Sequence, residues 1–354
     1  MSPSNTAAWL SKEKTNPLEI GPADYASPDD DTILIGVRSL AINPIDWMLQ
    51  DDAFFPLKYP FILGQDVAGE VVEGGKGVNG FEAGDRVIAQ CTALATSKPN
   101  DGGFQEYSQV HKNLVCKIPD TLAFKDAVVV PLGFSTAAIG LYSDDDLKLD
   151  IPVATSGTSK PETGNKGALI VWGAATSVGL NGVQLAARSG YKVYATASPS
   201  NFDLIRSLGA AQVFDYSSSS IIDDLKSATS GQPIVGALDC AGKAGSTSSL
   251  AEILTASKSE QPGTRLFISS VLPVKETLPA GVDSNFIKGV ALRYDDDKSK
   301  ALWGNFLPKS LADGTYRALP EALVIGHGLD KVQEAMERQR SGVRAQKVVV
   351  TIGE

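Results

Sequence analysis

The chain has 354 residues, of which 43% are apolar and 21% charged, and a net charge of −9 at neutral pH. That is room for two domains with an ordinary globular core. The acidic balance argues against nucleic acid as the main partner and disfavours anionic membrane surfaces, because phosphate-bearing partners need a basic face. Three widely spaced cysteines, Cys91, Cys116 and Cys240, make neither a disulfide framework nor a metal motif. No uninterrupted run of about 18 apolar residues marks a membrane span. The opening MSPSNTAAWLSKEK lacks an apolar signal core. The expectation is a cytoplasmic protein in a reducing compartment, with no membrane attachment.

Residues 1–30 are polar and carry Pro3, Pro17, Pro22 and Pro28, which predicts an edge hairpin with Asp29-Asp30-Asp31 as a solvated turn. Residues 32–40 read as a strand that ends at Asn43-Pro44. A short helix over 45–50 follows, with Asn43 or Asp46 as its cap. Residues 59–73 are strand-rich and broken by Gly64 and Gly69, 78–85 form a turn, 86–89 a strand, 92–103 a loop and 104–110 a strand. Many short strands joined by Gly/Pro turns make a β-barrel-like unit.

Composition shifts after Pro119. Residues 123–142 are apolar and helix-like, interrupted at Pro131-Leu132-Gly133-Phe134, and 143–166 read as a surface loop. The apolar run Ala168-Leu169-Ile170-Val171-Trp172 then enters Gly173-Ala174-Ala175-Thr176-Ser177-Val178-Gly179, a helix pattern and a second strand over 192–197. Strand, small-residue turn, helix and strand form the βαβ unit of a dinucleotide site. The helix N-terminus presents free N–H groups to a pyrophosphate. The glycine pattern departs from G-x-G-x-x-G, so the whole unit, not the turn alone, carries the assignment.

The second strand ends Ala197-Ser198-Pro199-Ser200-Asn201 with no acid at its tip. NAD binders place a carboxylate there for the ribose 2′-hydroxyl. Ser198, Ser200, Asn201 and the later Tyr216 instead offer donors to a 2′-phosphate, which predicts NADP(H) over NAD(H). Asp203 stands nearby and weakens the inference slightly. Strands over 212–215, 236–240 and 265–270, a last one over 289–293, and helices over 202–208, 220–228 and 246–257 give a doubly wound parallel sheet. The remainder reads as helices over 298–311 and 329–340 and a closing strand over 346–351.

The segments Ala41-Ile42-Asn43-Pro44-Ile45-Asp46, Gly64-Gln65-Asp66-Val67-Ala68-Gly69, Gly84-Asp85-Arg86-Val87 and Gly102-Gly103-Phe104-Gln105-Glu106-Tyr107 stand in order before the 167–179 turn. With them the chain resembles the medium-chain dehydrogenase/reductase superfamily over nearly its full length. Within it the chain is similar to the zinc-free quinone/enoyl reductase branch. The nearest group is the fungal ToxD-type reductases, which include the trans-acting enoyl reductase of lovastatin biosynthesis; residues 197–204 with Phe214-Asp215-Tyr216 carry that likeness. The resemblance implies an α/β fold: a GroES-like β-barrel catalytic domain (1–133, returning at 295–354) plus a Rossmann doubly wound parallel sheet (134–294). Zinc relatives have cysteine, histidine and cysteine where this chain has Asn43, Gln65 and Leu132. Residues 92–101 replace a four-cysteine lobe, and His111 and His327 stand alone, so no metal is expected.

Without a Lewis acid, NADPH reduction of an activated C=C, an enoyl thioester or enone, is the implied chemistry. The resemblance assigns Thr136 and Asp46 as catalytic candidates. It places Trp47, Met48, Tyr59, Phe134, Asn285 and Phe286 at the substrate. It places Ile45, Asp46, Gly173, Ala175, Thr176, Ser177, Val178, Ser270, Val271, Arg344 and Ala345 at the cofactor, beside Ser198, Ser200, Asn201 and Tyr216. Each has a plain structural alternative: Asp46 as a helix cap, Thr136 bonded to its own backbone, Trp47 and Tyr59 as core. Met48 stands where the lovastatin enzyme has a lysine. Two other readings are quinone reduction and a non-catalytic NADPH-binding or synthase-docking protein. The implied partners are a small-molecule or carrier-bound acyl substrate and a polyketide synthase, with the protein as monomer or homodimer.

Overall fold

The polar N-terminal stretch folds as the expected hairpin in the computed structural model, which describes residues 4–153, 166–242, 245–260 and 263–353. In chain order the first strands and helices are β1 (Asn5–Leu10), β2 (Glu19–Ala23), β3 (Thr32–Ala41), α1 (Pro44–Asp52), β4 (Phe61–Ile62), β5 (Asp66–Gly74), β6 (Arg86–Gln90), α2 (Ala93–Thr96), β7 (Tyr107–His111), β8 (Val115–Lys117), α3 (Phe124–Ala127) and α4 (Pro131–Tyr142). Then come β9 (Ala168–Trp172), α5 (Ser177–Arg188), β10 (Lys192–Ala197), α6 (Phe202–Ser207), β11 (Ala210–Asp215), α7 (Ile221–Thr229), β12 (Ile234–Asp239), α8 (Ser246–Glu260), β13 (Phe267–Ser270) and β14 (Asp283–Phe286). The chain closes with α9 (Asp296–Ser299), α10 (Leu307–Ala312), β15 (Glu321–His327), α11 (Val332–Arg340) and β16 (Gln346–Thr351).

Two units result, one of Met1–Leu132 with Leu292–Glu354 and one of Gly133–Ala291. In the first, β3 is the spine. It pairs antiparallel with β5, β7 and β16, within a sheet ordered β15-β16-β3-β5-β6-β8, while β2-β1-β4 form a smaller sheet. Ile33, Leu34, Ile35, Val37 and Leu40 of β3 are all buried, and each such side chain contributes about 1.5–3 kcal/mol of hydrophobic free energy. In the second unit a six-stranded sheet runs β11-β10-β9-β12-β13-β14 with every pairing parallel. The order reverses between β9 and β12, the switch point at which open α/β sheets bind ligands. β9 is buried along its whole length, which explains its unbroken apolar run.

Several elements differ from expectation. The last parallel strand is β14, not 289–293; residues Ala291–Tyr294 form a 3₁₀ turn that buries Leu292. β14 is a polar edge strand, Asp-Ser-Asn-Phe, so hydrophobic patterning does not mark it. β15 arises from residues to which the pattern assigned nothing, and its side chains are half-buried or exposed. The 92–103 loop contains α2 and a 3₁₀ turn, Pro99–Asp101. The break in the 123–142 stretch falls at 128–130, and Pro131 opens α4. A proline is tolerated in the first helical turn because its missing N–H would have no partner there. The stretch Phe124–Tyr142 is long and apolar enough to cross a membrane by composition, but it is mostly buried inside the protein. Between α9 and α10 the ladder widens into a π-helix, Lys300–Phe306; Pro308, just beyond, cannot donate to an α ladder. Of the predicted 143–166 loop, residues 154–165 lie outside the described residues.

Candidate active site

The turn after β9 is built from backbone. Gly173 has φ +77°, and a Cβ there would lie 3.1 Å from the Ala241 Cβ. A Cβ on Gly179 would lie 2.4 Å from the Gly173 carbonyl oxygen, so α5 can begin this close to the turn only with glycine. Thr176 is the N-cap of α5: its hydroxyl oxygen accepts the Gly179 N–H at 3.0 Å. Thr176 is exposed, while Ala175 and Val178 are half-buried. The Ser177 Oγ is buried, has no partner among the described residues, and would sit 2.5 Å from a Cβ on Gly133. Of these two hydroxyls, that of Thr176 belongs to an exposed residue and that of Ser177 is enclosed.

Two residues that sequence reasoning passed over fix this turn and the loop whose Ala241 lies beside Gly173. Buried Thr196 in β10 accepts the Gly173 N–H on its hydroxyl at 3.0 Å, and its carbonyl accepts the Ala174 N–H at 2.8 Å. Asp239, fully buried at the end of β12, accepts from the Ala241 and Gly242 amides at 3.0 and 3.2 Å and from the Ser246 and Thr247 hydroxyls at 2.6 and 3.2 Å. The signal for Asp239 was present as an acid closing an apolar strand and followed by Cys-Ala-Gly. Ser270 pairs with Asp239 across the ladder, and the Val271 N–H donates to the Asp239 carbonyl at 3.0 Å, so both lie at the C-terminal end of β13.

At the tip of β10 the Ser198 and Tyr216 hydroxyls are 3.1 Å apart, and Tyr216 is 48% exposed. Ser200 is exposed and Asn201 half-buried in the 3₁₀ turn Pro199–Asn201. The neighbouring acids are already engaged. Asp203 pairs with Arg206 at 3.1 Å, and Asp215 accepts from the Ser217 hydroxyl and amide at 2.7 and 2.9 Å, which lower its pKa.

Other carried-over positions fare differently. Phe134 is fully buried and Thr136 is 8% exposed, both on α4. Phe134 is thus packed into the core of its unit. Asn285 stands against Asp146, a buried carboxyl that desolvation pushes up while Ser269 and Asn285 pull it back. Phe286 is half-buried in β14.

In the first unit, Asn43 caps α1 and Asp46 forms the reciprocal half of a capping box. Asp46 is fully buried and accepts the Asn43 and Gly64 amides at 2.8 and 3.3 Å. Burial pushes its pKa up to about 7, with the Asp66 carboxylate adding to the rise. Ile45, Trp47, Met48 and Tyr59 are half-buried, and the Trp47 indole donates to the Gln339 side chain. Arg344 is exposed, and Ala345 holds φ +48°, a left-handed conformation that costs a non-glycine residue. Behind α1 lies a cluster that joins Asn43 and Asp66, from two of the motif segments, to Lys347 of the closing strand. Asn43 Nδ2 donates to Asp66 at 2.8 Å, and Lys347 Nζ donates to Asp66 at 2.8 Å and to Asn43 Oδ1.

The donor set at the positions equivalent to zinc ligands does not fit that ion. Asn43 is saturated by an ammonium and a carboxylate, Gln65 is a neutral amide and Leu132 has no donor atom on its side chain. Among the described residues no group of three His, Cys, Asp or Glu side chains is placed to hold a metal. His111 accepts the Asn113 N–H, and burial followed by the Arg293 charge lowers its pKa to about 4. His327 meets the Thr351 hydroxyl at 3.1 Å.

A glycine-turned βαβ unit at the switch point of a 3-2-1-4-5-6 sheet is the arrangement of a dinucleotide-binding fold, and the chain holds a β-rich unit besides. Residues 29–120 match the alcohol dehydrogenase GroES-like domain family, and residues 177–259 match the family described as zinc-binding dehydrogenase. The chain is 38% identical over 348 residues to the zinc-binding alcohol dehydrogenase domain-containing protein cipB of Emericella nidulans, covering 98% of each. It is 39% identical over 353 residues to the trans-enoyl reductase himH of Aspergillus japonicus, covering 98% of this chain and 97% of that one. The solved structure of CurK enoyl reductase shares the fold with a TM-score of 0.68 at 18% identity, over 99% of each chain. The chain belongs to the medium-chain dehydrogenase/reductase superfamily, among its fungal trans-enoyl reductase and dehydrogenase members.

Proposed function

We propose that this protein is an NADPH-dependent, zinc-independent reductase of activated C=C bonds. Its substrate is an enoyl thioester or enone, free or held on the carrier of a polyketide synthase, in cytoplasmic secondary metabolism. The observation that carries the cofactor choice is the tip of β10, where Ser198 and Tyr216 hydroxyls lie 3.1 Å apart and the nearby acids Asp203 and Asp215 have partners of their own. A 2′-phosphate finds donors in Ser198, Ser200, Asn201 and Tyr216, whereas an NADH ribose lacks its usual carboxylate. The name of the himH relative, a trans-enoyl reductase, supports the enoyl class.

When bound, the nicotinamide supplies the hydride that the β-carbon of the substrate accepts. The α5 N-terminal amides and the Thr176 hydroxyl hold the pyrophosphate. The Thr136 hydroxyl donates to the carbonyl oxygen as negative charge builds there. Asp46 acts by fixing α1, since both its oxygens are taken by backbone amides. The test is oxidation of NADPH and NADH against enoyl thioesters, enones and quinones, with and without chelator. Chelator-resistant, NADPH-preferring turnover of an enoyl thioester or enone supports the reading. Quinone turnover alone makes the protein a quinone reductase, and tight NADPH binding without turnover makes it a binding or docking protein.

A further inference from the structure

Asp66 opens β5 and is wholly buried, yet it serves three donors from distant parts of the chain. Its Oδ1 accepts the Leu132 N–H at 2.7 Å, and its Oδ2 accepts Asn43 Nδ2 and Lys347 Nζ, each at 2.8 Å. The Lys347 side chain is 5% exposed and that of Asp66 is 0% exposed. Lys347 also donates to Asn43 Oδ1. One ion pair, withdrawn from water, thus ties together the cap of α1, the start of β5, the first turn of α4 and the start of β16.

A pair buried this way is a weak source of stability, because desolvation of both charges offsets their attraction. What it supplies is direction. Each of its hydrogen bonds ends on one atom of one segment, and a buried polar group out of place is costly. The segments so tied are those that bear Ile45, Trp47 and Met48, Gln65, Leu132 and, two residues before Lys347, the left-handed Ala345. We propose that the Lys347–Asp66 pair is a positioning device that, through Asn43, sets α1 and its side chains for turnover. Lys347 and Asp66 touch neither substrate nor cofactor in this role, which rests on the C=C reductase reading above.

The experiment is a cycle of Lys347→Met, Asp66→Asn and the double variant, with Asn43→Ser beside them. Asn43→Ser keeps a capping hydroxyl for α1 but withdraws from the ion pair. Three readouts are taken: the unfolding midpoint, NADPH affinity by fluorescence, and single-turnover hydride transfer to a crotonyl thioester. Amide exchange of α1 in the free protein is a fourth that needs no substrate. The double variant should regain most of the midpoint lost by either single variant. It should keep NADPH affinity within about twofold yet transfer hydride roughly tenfold to a hundredfold more slowly. Its α1 amides should exchange roughly tenfold faster than wild type. Asn43→Ser, which leaves the Lys347–Asp66 contact itself in place, should show the same slow transfer and fast exchange with a smaller midpoint loss than either single variant of the pair, so the inference stays testable if the double variant does not fold. Wild-type rates and wild-type α1 exchange in either variant overturn it and leave the pair merely structural. An inactive wild type with the α1 exchange result intact refutes the reductase reading, not the positioning role.

Discussion

The cofactor turn and the cluster behind α1 are both glycine-and-polar constructions, but they are assembled in opposite ways. The turn comes from seven consecutive residues, and its chemistry is backbone: αL geometry at Gly173, close approach at Gly179, and a Thr176 cap. The cluster comes from residues 43, 46, 66, 132 and 347, and its chemistry is side chains that have lost their water. Contiguity makes the first tolerant of change beside it. Convergence makes the second all-or-none, because removing any member leaves a buried partner unpaired.

The largest effect should follow from breaking the convergent region. Lys347→Met leaves the Asp66 charge buried without its counter-ion and should cost about 3–5 kcal/mol in urea unfolding. A loss no greater than that of a surface substitution would show that the pair is open to water. Asp239→Ala comes next: it strips two amides and two hydroxyls of their acceptor beside the turn. It should cost roughly 1–3 kcal/mol and weaken NADPH binding in titration. Stability loss with unchanged affinity would separate Asp239 from the turn.

Ser198→Ala with Tyr216→Phe tests the contiguous region at its tip. Two lost donors should cut the NADPH-over-NADH preference by roughly tenfold in kcat/KM ratios, with little change in the unfolding midpoint. An unchanged ratio would move 2′-phosphate recognition elsewhere. A separate effect, visible only as a pH slope, comes from Asp46. Its folded pKa of about 7 lies above the usual aspartate value, so the folded state holds a proton that the unfolded chain releases from about pH 4 upward. Its contribution to stability therefore falls as pH rises from about 4 to about 7 and stays low above that. The stability of wild type relative to Asp46→Asn should decline across that window; a flat difference would mean that Asp46 is ionised throughout.

The same contrast explains what could be read from the sequence. The βαβ unit, the missing acid after Ala197 and the strand over 346–351 are local patterns, and the fold follows them. The Asn43 cap and the box with Asp46 were also legible, because both lie within four residues. Lys347 was not, since a lysine beside an apolar run reads as a solvent-facing strand position; only the antiparallel pairing of β16 with β3 turns it inward toward Asp66. β14 escaped because an edge strand of Asp-Ser-Asn-Phe has no hydrophobic signature. Phe134 and Asn285 were assigned by family position, and no sequence pattern announced the burial of one or the Asp146 contact of the other.

The most direct test of the whole account follows the hydride itself. NADPH carrying deuterium at the transferring C4 position is mixed with an enoyl thioester in the presence of chelator, and the product is read by mass spectrometry and NMR. The account predicts one deuterium on the β-carbon, delivered faster from NADPH than from NADH. Unlabelled product, label on another atom, loss of transfer on chelation, or equal use of NADH would contradict it.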